Sequence, residues 1–288
     1  MTAKREPVEE PETNGQEGLA AGPEGDEPMS FWDHVGELRS RLIRAALAVI
    51  VGCVACFTFV TQLREFLAAP LHTGWAEAKQ AGTPKLQALG MMDVFITDMR
   101  VAITFGLFLS LPVLFYQFWK FVSPGLYKHE KRFVVPFVFT SSLMFLLGAA
   151  FCYFYVLPWT IQWLLGYGTS SAGTTTIEYQ LTINTYIRDS TKMLVAFGMV
   201  FEFPLLVAFL AFAGVVTHLT LLRFWKISVV LIFIIAAFLT PPEPVSQLMM
   251  AIPMVALFFA SVGVAYMITK SRRGEETQAL DVTSRDGD

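Results

Sequence analysis

Apolar residues along this chain come in long, nearly unbroken runs, at about 42–61, 94–117, 133–160, 190–213, 224–239 and 245–268. Short period-two alternation, the mark of half-buried strands, is missing from them. A helix needs roughly 20 predominantly apolar residues to cross about 30 Å of hydrocarbon, so the pattern predicts an all-α integral membrane protein with six transmembrane helices. Just before the first run, SFWDHVGELRSR at 30–41 reads as a short amphipathic helix on the membrane surface, with Ser30 placed to cap it and Asp33 in its first turn. That helix runs straight into the first span, where Arg44 lies one turn inside the end and can snorkel to the interface. The fifth run is short. Ile227 to Leu239 is thirteen residues, or sixteen with Phe224, Trp225 and Lys226, and sixteen residues reach about 24 Å at the helical rise. TPPEPVS, with Pro241, Pro242 and Pro244, then forces a tight reversal into the sixth span. No internal repeat of the kind found in two-halved transporters is evident.

Composition narrows the class. With 54% hydrophobic and 16% charged residues in 288, an ordinary soluble enzyme is excluded. The formal charge of -3 belongs to the ends: removing residues 1–28 and 271–288 leaves 16 basic and 11 acidic residues in 29–270. No dense basic face is offered to nucleic acid. Residues 1–28, rich in Glu, Pro and Gly, are expected to be a disordered acidic tail, and 271–288 a disordered tail at the other end. No cleavable targeting segment is visible. Six spans put both termini on one side, and Lys and Arg choose the side: twelve fall at the inner flanks, against five in the outer loops, if both termini are cytoplasmic. The larger outer loops, about 62–92 and 161–189, carry Gly and Thr clusters such as Thr169 to Thr176 that read as turns and polar cap.

Candidate chemistry is sparse. Cys53, Cys56 and Cys152 sit in apolar stretches and read as packing residues; the C-x-x-C spacing of the first two has no second ligand pair. Nucleotide, zinc-protease and nucleophile-elbow motifs are absent, and His34, His72, His129 and His218 are scattered at span ends. No metal, cofactor or catalytic residue is expected. Three carboxylates stand out. Glu37, on the surface helix, and Glu130, in the basic loop SPGLYKHEKR, either balance nearby Arg39, Arg41, Lys131 and Arg132 or face one cytoplasmic groove and bind guanidinium groups, whose fork matches a carboxylate. Glu202, in VFEFPLL in the middle of the fourth span, is expensive there unless it meets a partner or a wet cavity. Pro204 frees the carbonyl of Val200 beside it, so a kink and a polar intramembrane pocket are expected. Glu243, in the outer turn, and Gln247, just inside the sixth span, are weaker candidates.

Four blocks, SFWDHVGELRSRLI at 30–43, LPVLFYQFWKFVSPGLYKHEKR at 111–132, FGMVFEFPLL at 197–206 and AFLTPPEPVSQLMMAIPM at 237–254, resemble the TatC family, the multispanning receptor and core subunit of the twin-arginine protein translocase. The resemblance extends from about Met29 to Ile268. It implies a concave, glove-like six-helix bundle in the bacterial cytoplasmic membrane and a function without covalent chemistry. It further implies that Glu37 and Glu130 bind the twin arginines of a signal peptide, that Arg39 and Phe121 belong to the same recognition surface, and that Glu202 faces the concave interior. The partners implied are twin-arginine signal peptides of folded preproteins, TatA-type and TatB-type single-span subunits and other copies of the chain, with the proton-motive force as driver. The sequence departs from the family at Glu243, where many relatives carry Asp, and at 88–95, ALGMMDVF, which lacks a Pro-x-Glu and leaves Asp93 as a stand-in. The acidic tail has no counterpart in the family pattern. From another class, a proton-coupled transporter of a small cation with Glu202 as the coupling acid competes with this reading. The short fifth span suggests a locally thinned bilayer: inserting four leucines within 227–239 is expected to abolish export, and unchanged export would remove thinning from the mechanism.

Overall fold

The computed structural model describes residues 31–80, 82–122, 134–171, 179–212, 214–240 and 244–285. Helix α1 (Phe31–Thr58) passes at Phe59 into α2 (Val60–Glu77), and α3 (Asp93–Val122) returns antiparallel beside α1. Helix α4 (Val134–Phe151) continues through a π-helical turn (Cys152–Val156) into α5 (Leu157–Ser171). Helices α6 (Ile183–Phe201) and α7 (Phe203–Phe212) together make the fourth crossing, followed by the short α8 (His218–Arg223), α9 (Trp225–Leu239) and α10 (Pro244–Arg285). Two-residue strands β1 (Leu86–Gln87) and β2 (Leu181–Thr182) pair in parallel, Leu86 opposite Leu181, and tie the two connections at the end away from Glu37. Among the described residues, five helical stretches are long and apolar enough to cross a membrane, and α9, at 15 residues, is the shorter sixth.

The amphipathic segment and first span form one unbroken helix. The connections are more helical than expected. Residues 62–77, read from the sequence as part of an outer loop, belong to α2: Leu67, Pro70, Leu71 and Gly74 recur at helical spacing and are its buried stripe. The second loop is likewise shortened by α5 and by α6 starting at Ile183. Helix α10 runs on to Arg285, through the stretch expected to be a disordered tail; Glu275, Glu276, Gln278, Ala279 and Leu280 there are good helix formers. Residues 1–28, 123–133 and 241–243 lie outside the described residues, and with them the acidic tail, Glu130 and Glu243.

Helix contacts are set by small residues, as suits packing within lipid where there is no hydrophobic drive between helices. A Cβ on Gly52 would lie 2.5 Å from the carbonyl oxygen of Gly106, and one on Gly106 would lie 2.5 Å from the backbone nitrogen of Cys53, so α1 and α3 touch backbone to backbone. Gly148 of α4 meets the carbonyl of Phe197, Gly198 of α6 receives the ring of Phe145, and Gly74 of α2 lies against Pro158. The core gathers between these crossings around Leu67, Val101, Ile187, Phe197, Met250 and Phe258, all buried.

The proline inside α2 is matched by substitute donors. Pro70 has no N–H to give the carbonyl of Phe66; the Tyr153 hydroxyl, from the π turn, donates to that oxygen at 2.7 Å, and the Tyr186 hydroxyl donates to the neighbouring Leu67 carbonyl at 2.9 Å. The π turn ends next to Pro158, with the Leu157 N–H bonded five residues back to Cys152. Three helices are thereby locked at one level.

Replacing Gly106 by Leu is expected to cost about 1–3 kcal/mol or more through overpacking, seen as a lower unfolding temperature in detergent. Gly263→Ala, where a Cβ meets nothing within 4 Å, is expected to leave that temperature nearly unchanged.

Candidate functional site

A groove of about 770 Å³ opens between α3, α6, α7 and α9, with α10 behind it. Leu107, Leu111, Phe115 and Phe118 line one side, Met199, Phe203 and Leu206 the back, and Leu231, Ile235 and Leu239 the other side. Its surface is apolar apart from Glu202, Ser228 and the edge of Trp119. The expected kink is present. Helix α6 stops at Phe201, Glu202 is a turn residue whose N–H reaches back to the Met199 carbonyl at 3.1 Å, and α7 restarts with Leu206 N–H on the Glu202 carbonyl at 2.9 Å. Pro204 is the cause, since it cannot donate to Val200. The Glu202 side chain is half-buried, with the Ser141 hydroxyl and the Phe145 backbone beside its carboxyl, and its Oε1 is buried without a hydrogen-bond partner. A buried unpaired carboxyl oxygen seeks a donor.

Ser141 is itself held from the other side: the Trp119 indole N–H donates to its hydroxyl at 2.9 Å, both residues being buried. Trp119 packs between Phe137 and Phe209 at 4.9 Å each, joining α3, α4 and α7. The sequence reading quoted this tryptophan within the block 111–132 but gave it no role; its signal was the need of a buried indole N–H for a partner.

At the Glu37 end, α1 and the last turn of α3 carry the polar groups. The Arg41 guanidinium embraces Glu37: Nε donates to Oε1 at 3.0 Å and Nη2 to the same oxygen. Arg39 points outward and is exposed, Phe121 is half-buried in the final turn of α3, and Lys120 lies 5.6 Å over the Tyr116 ring. Arg41, one turn on, is thus a local-balance partner of Glu37. At the opposite end, Gln247 of α10 donates to the Phe233 carbonyl at 3.1 Å, and Lys192 of α6 donates to the Phe238 carbonyl at 2.7 Å. The sequence reading placed Gln247 just inside the sixth span but not its tie to α9, and it treated Lys192 only as a charge to be counted.

Long apolar helices and an apolar groove with a carboxylate in its lining define a multi-pass membrane protein. Comparison with known proteins makes the class specific. The family profile described as "Sec-independent protein translocase protein (TatC)" matches residues 33–253. Proteins of that name are 39% identical over 89% of this chain and 91% of theirs in Desulforapulum autotrophicum, and 36% identical over 85% and 96% in Campylobacter jejuni. A solved structure titled "Crystal Structure of Twin Arginine Translocase Receptor- TatC" superposes with a TM-score of 0.71 at 36% identity, covering 82% of this chain and 99% of that one. The chain belongs to the TatC family of protein translocase components. The family is not one of enzymes, and the small-cation transporter reading of Glu202 gains no support from it.

Trp119→Phe removes the donor to Ser141 while keeping the aromatic packing. The expected cost is about 0.5–1.5 kcal/mol for the lost hydrogen bond, read as a lower denaturation midpoint, with Trp119→Leu costing more.

Proposed function

We propose that this chain is the receptor of a twin-arginine translocase in the bacterial cytoplasmic membrane, with Glu37 and Glu130 taking the two arginines of a signal peptide at the cytoplasmic surface. The observation that carries the reading is the Glu37–Arg41 contact: the carboxylate is half-buried and already holds a guanidinium. Charge-assisted hydrogen bonds of this kind contribute about 1.5–3 kcal/mol each. Phe121 and Arg39 border the same rim from α3 and α1, Phe121 as an apolar contact and Arg39 as a positive guard against arbitrary cations. The signal's apolar segment then lies along the groove, where Glu202 meets a polar group of the segment or of a partner helix. TatA-type and TatB-type single-span subunits are recruited through the lipid-facing helices, and other copies of the chain complete the assembly. The proton-motive force drives transport of the folded cargo, and the thin bilayer expected beside α9 lowers the barrier.

Photocrosslinking of a twin-arginine signal peptide to membranes carrying the wild-type chain, Glu37→Ala, Glu130→Ala or both tests this. The single variants are expected to lose most crosslinks and the double variant all of them, matching the loss with a Lys-Lys signal. Wild-type yields from the double variant would return both glutamates to local charge balance.

A further inference from the structure

A second hollow, of about 580 Å³, opens at the end of the molecule away from Glu37, between the last turn of α2 and α5, and shares no lining residue with the groove around Glu202. Trp159, Trp163 and Tyr167 follow one another at intervals of four on α5 and line one wall, with the Trp163 and Tyr167 rings stacked at 5.5 Å. Glu77 and Lys79 line the other. Lys79 ends α2 in a left-handed conformation, φ 53°, with its N–H on the Ala76 carbonyl at 3.0 Å. Glycine is the usual residue at such a helix end, so a lysine side chain stands at this rim at a backbone cost. Gly166 belongs to the aromatic wall, and a Cβ on it would meet no described atom within 4 Å. The hollow is open where a larger residue would fill it.

We propose that this hollow binds the headgroup of a zwitterionic phospholipid from the leaflet at that end, its ammonium between the aromatic wall and Glu77 and its phosphate on Lys79. Tryptophan and tyrosine are common at membrane surfaces as plain anchors. A concave wall of three rings opposite a carboxylate does more, because aromatic rings and a carboxylate both attract a cation. Lys79 supplies the opposite sign two residues from Glu77, which is the pairing that a headgroup of ammonium and phosphate carries. Depth agrees. Val135–Gly168 is one apolar helical stretch of 34 residues, and about 20 of them cross the hydrocarbon, which therefore ends near Tyr155. Trp159 and Trp163 occupy the next two turns, at headgroup level, and Phe154 and Tyr155, both exposed, lie just below them, where acyl chains run. The close approach of Gly74 to Pro158 and Ile161 brings the end of α2 to the same level. A cationic peptide side chain would satisfy Glu77 and the rings but would set like charge against Lys79, so the lipid is the better match. The site is separate from Glu37 and stands or falls without the signal-peptide reading.

The test is native mass spectrometry of the full-length chain in detergent, titrated with phosphatidylethanolamine or with phosphatidylglycerol. Phosphatidylethanolamine is expected to bind about tenfold more tightly than phosphatidylglycerol, which has the phosphate and no ammonium. Glu77→Gln is expected to erase most of that preference, and Lys79→Gln to weaken both lipids alike. Gly166→Leu, which fills the hollow, is expected to lower phosphatidylethanolamine binding by a similar factor while the unfolding temperature stays near that of the wild type. Equal binding of the two lipids by the wild type, or phosphatidylethanolamine binding unchanged in both Glu77→Gln and Gly166→Leu, would overturn the proposal. A short lysine peptide that binds as tightly as the lipid and is lost in the same variants would overturn it too, because the hollow would then be a peptide site.

Discussion

A backbone crossing hydrocarbon has no water to satisfy a broken hydrogen bond, so each interruption of a helix must be repaired from within the protein. The fold is organised around such repairs. Pro70 breaks the α2 ladder and Tyr153 and Tyr186 mend it from the π turn and α6. Pro204 breaks the fourth span, and the kink into α7 leaves a carboxylate at the gap. In α9, Lys192 from α6 donates to the Phe238 carbonyl in the last turn and Gln247 from α10 to the Phe233 carbonyl farther in. The ties at Pro70 and along α9 come from other helices, so interruptions and short helices become links between elements.

That economy explains how a bundle with so much lipid-facing surface keeps a defined groove. Helix α9 buries only Ile232 and Ala236, too little apolar packing to fix its position, and within lipid packing gives a weaker drive than in water. Two side-chain bonds to its carbonyls from two different helices supply the missing registration. On the opposite wall, α1 and α3 need no such staples, because Gly52 and Gly106 let the backbones meet along a long crossing. The groove is bounded by a rigid wall and a pinned one.

Much of this could be read in the chain. Six apolar runs gave the crossings because a helical span must be continuous, and Pro204 beside Glu202 gave the broken helix, since a missing N–H has a fixed consequence. Outer helices α2 and α5 were hidden by loop-like residues, Gly74 and Thr73 among them, although the buried spacing of Leu67, Pro70, Leu71 and Gly74 was there to be found. Long-range pairs were not legible at all. Nothing in the order of residues links Trp119 to Ser141, or Lys192 to a carbonyl in another span, because those depend on helix rotation and depth set by the glycine crossings. The Glu37–Arg41 pair is the instructive middle case: its spacing of four was visible, and only burial separates a resident guanidinium from a solvated charge pair.

Helix length gives the Glu202 position its meaning. Helix α3 has 30 residues, about 45 Å, with Phe95, Met99, Ile103 and Leu109 exposed along it, whereas α9 has 15, about 22 Å. A bilayer of about 30 Å cannot fit both without tilting or thinning. Lys192 fixes which end of α9 meets the polar zone, for an ammonium on the Phe238 carbonyl marks the depth at which charge is tolerated. Ten residues separate Lys192 from Glu202 along α6, roughly 15 Å, and α7 extends a similar distance beyond. Where the hydrocarbon matches α9, Glu202 therefore lies near the middle of a slab thinner than the rest of the membrane. A carboxylate there costs less to keep than it would at the centre of a full bilayer, and a polar group on a bound helix would gain a hydrogen bond at the one depth where lipid can offer none.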